Sequence, residues 1–191
     1  MESFLVSAGL VALAEMGDKT QLLALVLAAR FRKPLPIVLG ILAATLANHG
    51  IAGVLGAWIT SVIAPDVLRW MLGISFVAMA AWTLVPDRFE QDSNNATHFG
   101  VFCATLIAFF IVEIGDKTQL ATIALAAQYH AVPEVVTGTT LGMMIANVPA
   151  VLLGERLTQR FPIRGLQICA SLTFFALGIA ILLGADERFD V

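Results

Sequence analysis

Apolar residues are concentrated in six long segments that are separated by short polar stretches. The segments are about Ser3–Ala29, Pro36–Ile63, Val67–Val85, Phe99–Ala127, Val135–Leu153 and Gly165–Gly184. Each could cross the hydrocarbon core of a bilayer, which is about 30 Å thick and takes about 20 helical residues. Because a backbone in lipid must satisfy its own hydrogen bonds, helices are the expected form. The pattern predicts an all-α membrane protein with six transmembrane helices.

The composition agrees with this pattern and narrows the function. Only 13% of the 191 residues are charged, whereas soluble domains carry about 25%. No basic tract suggests nucleic acid as a partner, and no His-rich ligand set or nucleophile motif suggests an enzyme. We therefore expect no catalytic residues and no cofactor, and an intramembrane metalloenzyme is the disfavoured alternative.

The chain contains an internal repeat. A shift of 98 residues places Glu15–Ala29 on Glu113–Ala127 with ten of fifteen positions identical, and one further residue of offset aligns Asn48 with Asn147. Because each copy has three helices, the second copy must enter the membrane from the opposite side. The sequence predicts two inverted repeats, residues 1–85 and 99–191, joined by an acidic linker over residues 86–98. This architecture is typical of secondary transporters, which bind substrate between the repeats.

The positive charges predict the orientation. Seven Lys and Arg residues lie in the first, third and fifth links between segments. The other side has two, Arg69 near the start of the third segment and Arg188 after the last segment. Because positive residues are enriched in cytoplasmic loops, we expect the linker in the cytoplasm and both termini outside it.

The repeat carries a charged seven-residue motif, Glu15–Gln21, with a second copy at Glu113–Gln119. Ionisable groups at membrane depth are costly and commonly mark an ion pathway. In a continuous helix, Glu15 and Asp18 share one face, as do the two acids of the second copy. Together the four acids and two lysines carry a net charge of −2, which one divalent cation or two protons would neutralise. Exchange of a divalent cation for protons is the predicted chemistry.

The predicted metal site consists of the four carboxylates. These are Glu15, Asp18, Glu113 and Asp116. Supporting roles are predicted for Lys19, Lys117, Thr20, Thr118, Gln21, Gln119, Asn48 and Asn147. Oxygen ligands favour Mg²⁺, Ca²⁺ or Mn²⁺. Met16 is either a soft contact or an apolar filler, and Gly17 and Gly115 permit local unwinding of the helix.

Other interpretations of these residues remain open. The motif could be a surface loop, or Glu15 and Lys19 could form a purely structural i,i+4 ion pair. Asn48 and its counterpart could be interhelical hydrogen-bonding residues. His49 could be a proton relay or a packed histidine. The same acids could also serve an exporter of amino acids or small organic cations.

The doubled motif resembles the cation/proton antiporters that carry two E-x-G-D-[KR]-[TS] motifs, a family that includes bacterial manganese exporters and Golgi Ca²⁺/Mn²⁺ exchangers. The resemblance covers nearly the whole chain. It implies that the four motif acids bind the cation and that Mn²⁺ or Ca²⁺ leaves the cytoplasm in exchange for H⁺. For a chain of bacterial size, the resemblance favours Mn²⁺ and implies a location in the inner membrane of a bacterium.

Overall fold

The computed structural model describes residues 1–85, 100–153 and 163–184, and the chain in these ranges is helical without strands. The helices of this part are α1 Glu2–Glu15, α2 Lys19–Phe31, α3 Pro34–Val62, α4 Pro65–Thr83, α5 Val101–Glu113, α6 Lys117–Tyr129, α7 Val132–Leu153 and α8 Ile163–Leu182. Proline occupies the first position of α3 and of α4, where its missing N–H has no helical partner to lose. The all-α class is confirmed.

The first and fourth apolar segments are not continuous helices. The first is divided into α1 and α2 at Met16–Asp18, and the fourth into α5 and α6 at Ile114–Asp116. The prediction that Glu15 and Asp18 lie on one face of a helix is therefore wrong. Local unwinding at the motif glycines, which was also predicted, is what the structure has.

The first helix of each half packs against the long helix of the other half. A Cβ atom added to Gly138 on α7 would lie 2.5 Å from the carbonyl oxygen of Phe4 on α1, and one added to Gly40 on α3 would lie 2.9 Å from that of Phe102 on α5. Such approaches are possible only where the residue lacks a side chain, as in close helix packing in membranes. These two contacts hold the broken helices against α7 and α3.

The remaining helices, α4 and α8, pack against each other. The ring centroids of Phe76 on α4 and Phe174 on α8 are 6.2 Å apart. A Cβ atom added to Gly73 on α4 would lie 2.5 Å from the side chain of Leu182 on α8. Neither helix carries a motif residue, so this pair supports the bundle.

Three helices in the described ranges are long and apolar enough to cross a membrane by themselves. They are Pro34–Val62, Val132–Leu153 and Arg164–Leu182. The prediction of six spans stays a prediction, because each broken segment consists of two shorter helices. The predicted linker, residues 86–98, and most of the fifth link lie outside the described residues.

Candidate metal site

The first motif forms a helix end followed at once by a helix start. Glu15 is the last residue of α1, Gly17 has a φ of 85°, and Asp18 is the N-cap of α2. Asp18 Oδ1 accepts the backbone N–H of Lys19 at 2.8 Å, and Gln21 Oε1 accepts that of Gly17 at 3.0 Å. An N-terminal Asp with Gln three residues later is a capping arrangement, so the motif itself fixes the break.

The second motif repeats this backbone geometry. Gly115 has a φ of 74°, Asp116 is the N-cap of α6, and Gln119 Oε1 accepts the N–H of Gly115 at 2.8 Å. Glu113 closes α5 as Glu15 closes α1. Both motifs therefore present a carboxylate at a helix C-terminus and another at a helix N-terminus.

Three of the four predicted carboxylates come together. One oxygen from each of Glu15, Asp18 and Asp116 lies within 4.8 Å of the other two, and each residue is at most 1% exposed. Ligands on opposite sides of a Ca²⁺ ion, at 2.3–2.6 Å from it, are about 5 Å apart, so this spacing suits a single divalent cation. Because these residues are buried, the surface-loop interpretation is wrong.

The fourth carboxylate, Glu113, lies outside this group and is held by α3. Its Oε1 accepts a hydrogen bond from Thr45 Oγ1 at 3.0 Å, and its Oε2 accepts one from Asn48 Nδ2 at 3.2 Å. Sequence reasoning missed Thr45. Its position one turn before Asn48 on a buried helix face was the available signal.

The motif lysines form ion pairs between the two halves. Lys19 Nζ lies 2.8 Å from Asp116 Oδ1, and Lys117 Nζ lies 3.1 Å from Asp18 Oδ2. The i,i+4 pairing expected within one helix is therefore wrong in its geometry, because the helix ends between Glu15 and Lys19. Each lysine compensates an aspartate of the other motif.

Glu15 has one open oxygen. The hydroxyl of Thr20 donates to its Oε2, whereas its Oε1 is buried and has no hydrogen-bond partner in the described ranges. In the second motif, Thr118 Oγ1 lies 3.4 Å from Asp116 Oδ2. Since a buried polar atom without a partner is costly, Glu15 Oε1 is the atom best placed to ligate a cation.

The four amide side chains have unequal roles. Gln119 Nε2 donates to Asn48 Oδ1 at 2.8 Å, whereas Gln21 Nε2 donates to the carbonyl oxygen of Ala146 at 2.9 Å. Asn147 donates within its own helix to Met143 O at 3.1 Å. Asn48 therefore connects the second motif to α3 through its side chain, whereas the first motif reaches α7 through a backbone carbonyl.

Two residues whose roles the sequence left open lie near the site. The side chain of Met16 is partly buried. His49 is fully buried, and neither ring nitrogen has a hydrogen-bond partner in the described part of the chain. The proton-relay and packing interpretations of His49 both stay predictions.

The helix ends add to the electrostatics of the site. The C-termini of α1 and α5 carry the negative ends of their helix dipoles. Broken membrane helices bind cations through such ends. The two capping aspartates lie instead at helix N-termini, which favour negative charge. With Glu113 included, the four acids and two lysines of the two motifs carry a formal charge of −2, which one divalent cation would balance.

Comparison with protein families gives a match across nearly the whole chain. The family described as "Divalent cation/proton antiporter GDT1" matches residues 3–91 and 101–188. No solved structure matches the chain.

Several individual proteins are also similar. A Vibrio cholerae protein named "Putative manganese exporter" is 51% identical over 164 residues, which are 85% of this chain and 82% of that protein. The "Divalent cation/proton antiporter GDT1" of Saccharomyces cerevisiae is 23% identical and is matched by 100% of this chain over 86% of its own length. The "GDT1-like protein 3" of Oryza sativa is 25% identical, with 94% of this chain and 73% of that protein covered.

Proposed function

The chain belongs to the divalent cation/proton antiporter GDT1 family, and from this membership we propose that it exports Mn²⁺ from the cytoplasm in exchange for H⁺. The observation that carries the proposal is the buried group of Glu15, Asp18 and Asp116, whose oxygens lie within 4.8 Å of one another. Carboxylate oxygens suit Mn²⁺ and Ca²⁺. The similarity to the Vibrio cholerae protein favours Mn²⁺.

The proposed architecture is six membrane spans in two inverted repeats. Three observations support it: the equal backbone breaks in the two motifs, the corresponding packing of α1 on α7 and of α5 on α3, and the two stretches that match the family. The N-terminal ammonium lies 3.3 Å from Glu134 Oε2. This contact supports the placement of the N-terminus and the fourth link on one side, which the charge pattern assigns to the exterior of a bacterial inner membrane.

In the proposed cycle, the site binds either one Mn²⁺ or two protons. Both states neutralise the net charge of −2 on four acids and two lysines, so neither carries uncompensated charge through the low-dielectric interior. Movement of one repeat against the other would expose the site to each side in turn. The crossed ion pairs would couple the two motifs during this movement, because each joins one repeat to the other.

The test is transport by the purified chain in liposomes with a pH reporter inside. We expect Mn²⁺ movement accompanied by opposing proton movement in the unmodified protein. Asp116→Asn should abolish both, because it removes a proposed ligand and the carboxylate that pairs with Lys19. Asp66→Asn is the matched control, since Asp66 is exposed in the first turn of α4.

The outcomes separate the mechanisms. Mn²⁺ flux without proton movement would identify a uniporter and contradict the exchange. Normal flux in Asp116→Asn would contradict the assigned site. The organic-cation alternative predicts that lysine or arginine competes with Mn²⁺ for transport, whereas the proposed function predicts no competition.

A further inference from the structure

The two motif lysines occupy equivalent sequence positions but different surroundings. The side chain of Lys117 is 2% exposed and that of Lys19 is 24% exposed, while the aspartates with which they pair are at most 1% exposed. Each lysine is the first residue of its helix. The difference therefore comes from the neighbouring helices rather than from the motif, and it gives only Lys19 substantial room to leave its partner.

Both lysines pair with carboxylates that a bound cation would use. Lys19 Nζ lies 2.8 Å from Asp116 Oδ1. Asp18 is engaged at both oxygens, by the backbone N–H of Lys19 at Oδ1 and by the ammonium of Lys117 at Oδ2. Among the described oxygens of these three carboxylates, only Glu15 Oε1 has neither a hydrogen bond nor an ion pair. A divalent ion that uses all three residues must therefore weaken at least one lysine pair, because like charges repel at such distances.

We propose that Lys19 is a tethered competitor of the transported cation. Its ammonium pairs with Asp116 when no metal is bound and withdraws toward its exposed side when Mn²⁺ binds. Lys117, enclosed on all sides, stays on Asp18. Lys19 then sets an affinity weak enough for Mn²⁺ to be released, as a carrier needs. This inference rests on the proposed function and assigns the two lysines of one motif pattern different roles.

The first measurement is Mn²⁺ binding to the purified chain, which is monitored through the loss of the electron paramagnetic resonance signal of free Mn²⁺. Lys19→Gln should lower the dissociation constant about fivefold, which corresponds to about 1 kcal/mol, the upper range for an ion pair that is not fully buried. Lys19→Arg should raise it, because a guanidinium holds a carboxylate through two N–H groups. Lys33→Gln, an exposed lysine at the start of α3, should leave it unchanged.

The second measurement is the concentration dependence of Mn²⁺ flux in liposomes. Lys19→Gln should lower both the half-saturating concentration and the maximal rate, because tighter binding slows release. Lys117→Gln should instead lower the apparent melting temperature, since removal of one partner of a fully buried ion pair is destabilising. A merely structural role of Lys19 would not produce tighter binding together with slower turnover.

Two outcomes would overturn the inference alone, and a third would overturn the proposed function as well. Unchanged or weaker Mn²⁺ binding in a folded Lys19→Gln variant overturns the inference while the proposed function stands. If Lys19→Gln does not fold, Lys19→Arg decides, and binding as tight as in the unmodified chain overturns the inference. Absence of Mn²⁺ binding and flux in the unmodified chain overturns the proposed function and this inference with it.

Discussion

The contact between α1 and α7 at Gly142 gives a sharp test of how the site is positioned. A Cβ atom at Gly142 would lie 2.5 Å from the carbonyl oxygen of Ala8, 2.9 Å from the backbone nitrogen of Ala12 and 3.0 Å from Cβ of Val11. Two of these atoms belong to the backbone of α1 and cannot rotate away. Gly142→Ala should therefore push α1 away from α7.

The size of the effect follows from these distances. Restoring an ordinary contact of 3.4 Å to the oxygen that lies at 2.5 Å requires a shift of 0.9 Å. Overpacking of this kind costs about 1–3 kcal/mol, and the better helix propensity of Ala offsets up to about 1 kcal/mol. Gly9 on α1 has no atom within 4 Å of an added Cβ, so Gly9→Ala receives only the propensity gain. The difference in stability between the two variants should be about 1–3 kcal/mol, since the propensity term is common to both.

Two properties are measured. The apparent melting temperature in detergent is monitored by tryptophan fluorescence, and Mn²⁺ binding is measured in parallel. Gly142→Ala should melt below the unmodified chain and Gly9→Ala at or above it. Because α1 ends in Glu15, the shift should also weaken Mn²⁺ binding about 10- to 100-fold, as disturbed support of a metal ligand does. Equal melting and equal binding in the two variants would refute the conclusion that this contact positions Glu15.

Two further predictions concern the break and the buried histidine. Gly115 has a φ of 74° and nothing within 4 Å of an added Cβ, so Gly115→Ala should lose about 1–2 kcal/mol of stability from backbone strain alone. Gly115→Asn should lose less, because Asn tolerates this backbone region. Equal melting temperatures for the unmodified chain and both variants would contradict this prediction. His49→Leu should keep the fold and Mn²⁺/H⁺ exchange. Both ring nitrogens lack hydrogen-bond partners in the described residues, so their removal should cost little stability. Mn²⁺ flux that persists in this variant without proton movement would instead identify His49 as a proton relay.

The sequence predicted the helical class and most helix limits because these depend on local features. Apolar length located α3 and α7, and prolines marked the starts of α3 and α4. The helix break was also readable in detail. Asp18 followed three residues later by Gln21 is a capping signature, and Gly17 before it permits a positive φ. Treating the apolar segment as one helix gave this local signal too little weight.

The partners of the motif side chains could not be predicted in this way. The pairing of Lys19 with Asp116 depends on how two halves dock, across 97 positions of the sequence. The bond from Thr45 to Glu113 likewise depends on the approach of α5 to α3. Periodicity identifies a buried face, but it does not say which residue of another helix lies opposite.

The unequal use of the two motifs originates outside them. Both motifs fold their backbones alike because the glycine of positive φ and the glutamine that accepts its N–H are repeated. Thr45 and Asn48 on α3 bind Glu113, and the alignment that pairs Asn48 with Asn147 places Met144 where α3 has Thr45. A methionine cannot donate a hydrogen bond to a carboxylate, so α7 lacks this means of holding Glu15. The residues that differ between the long helices thus leave an oxygen of Glu15 open and engage both oxygens of its counterpart.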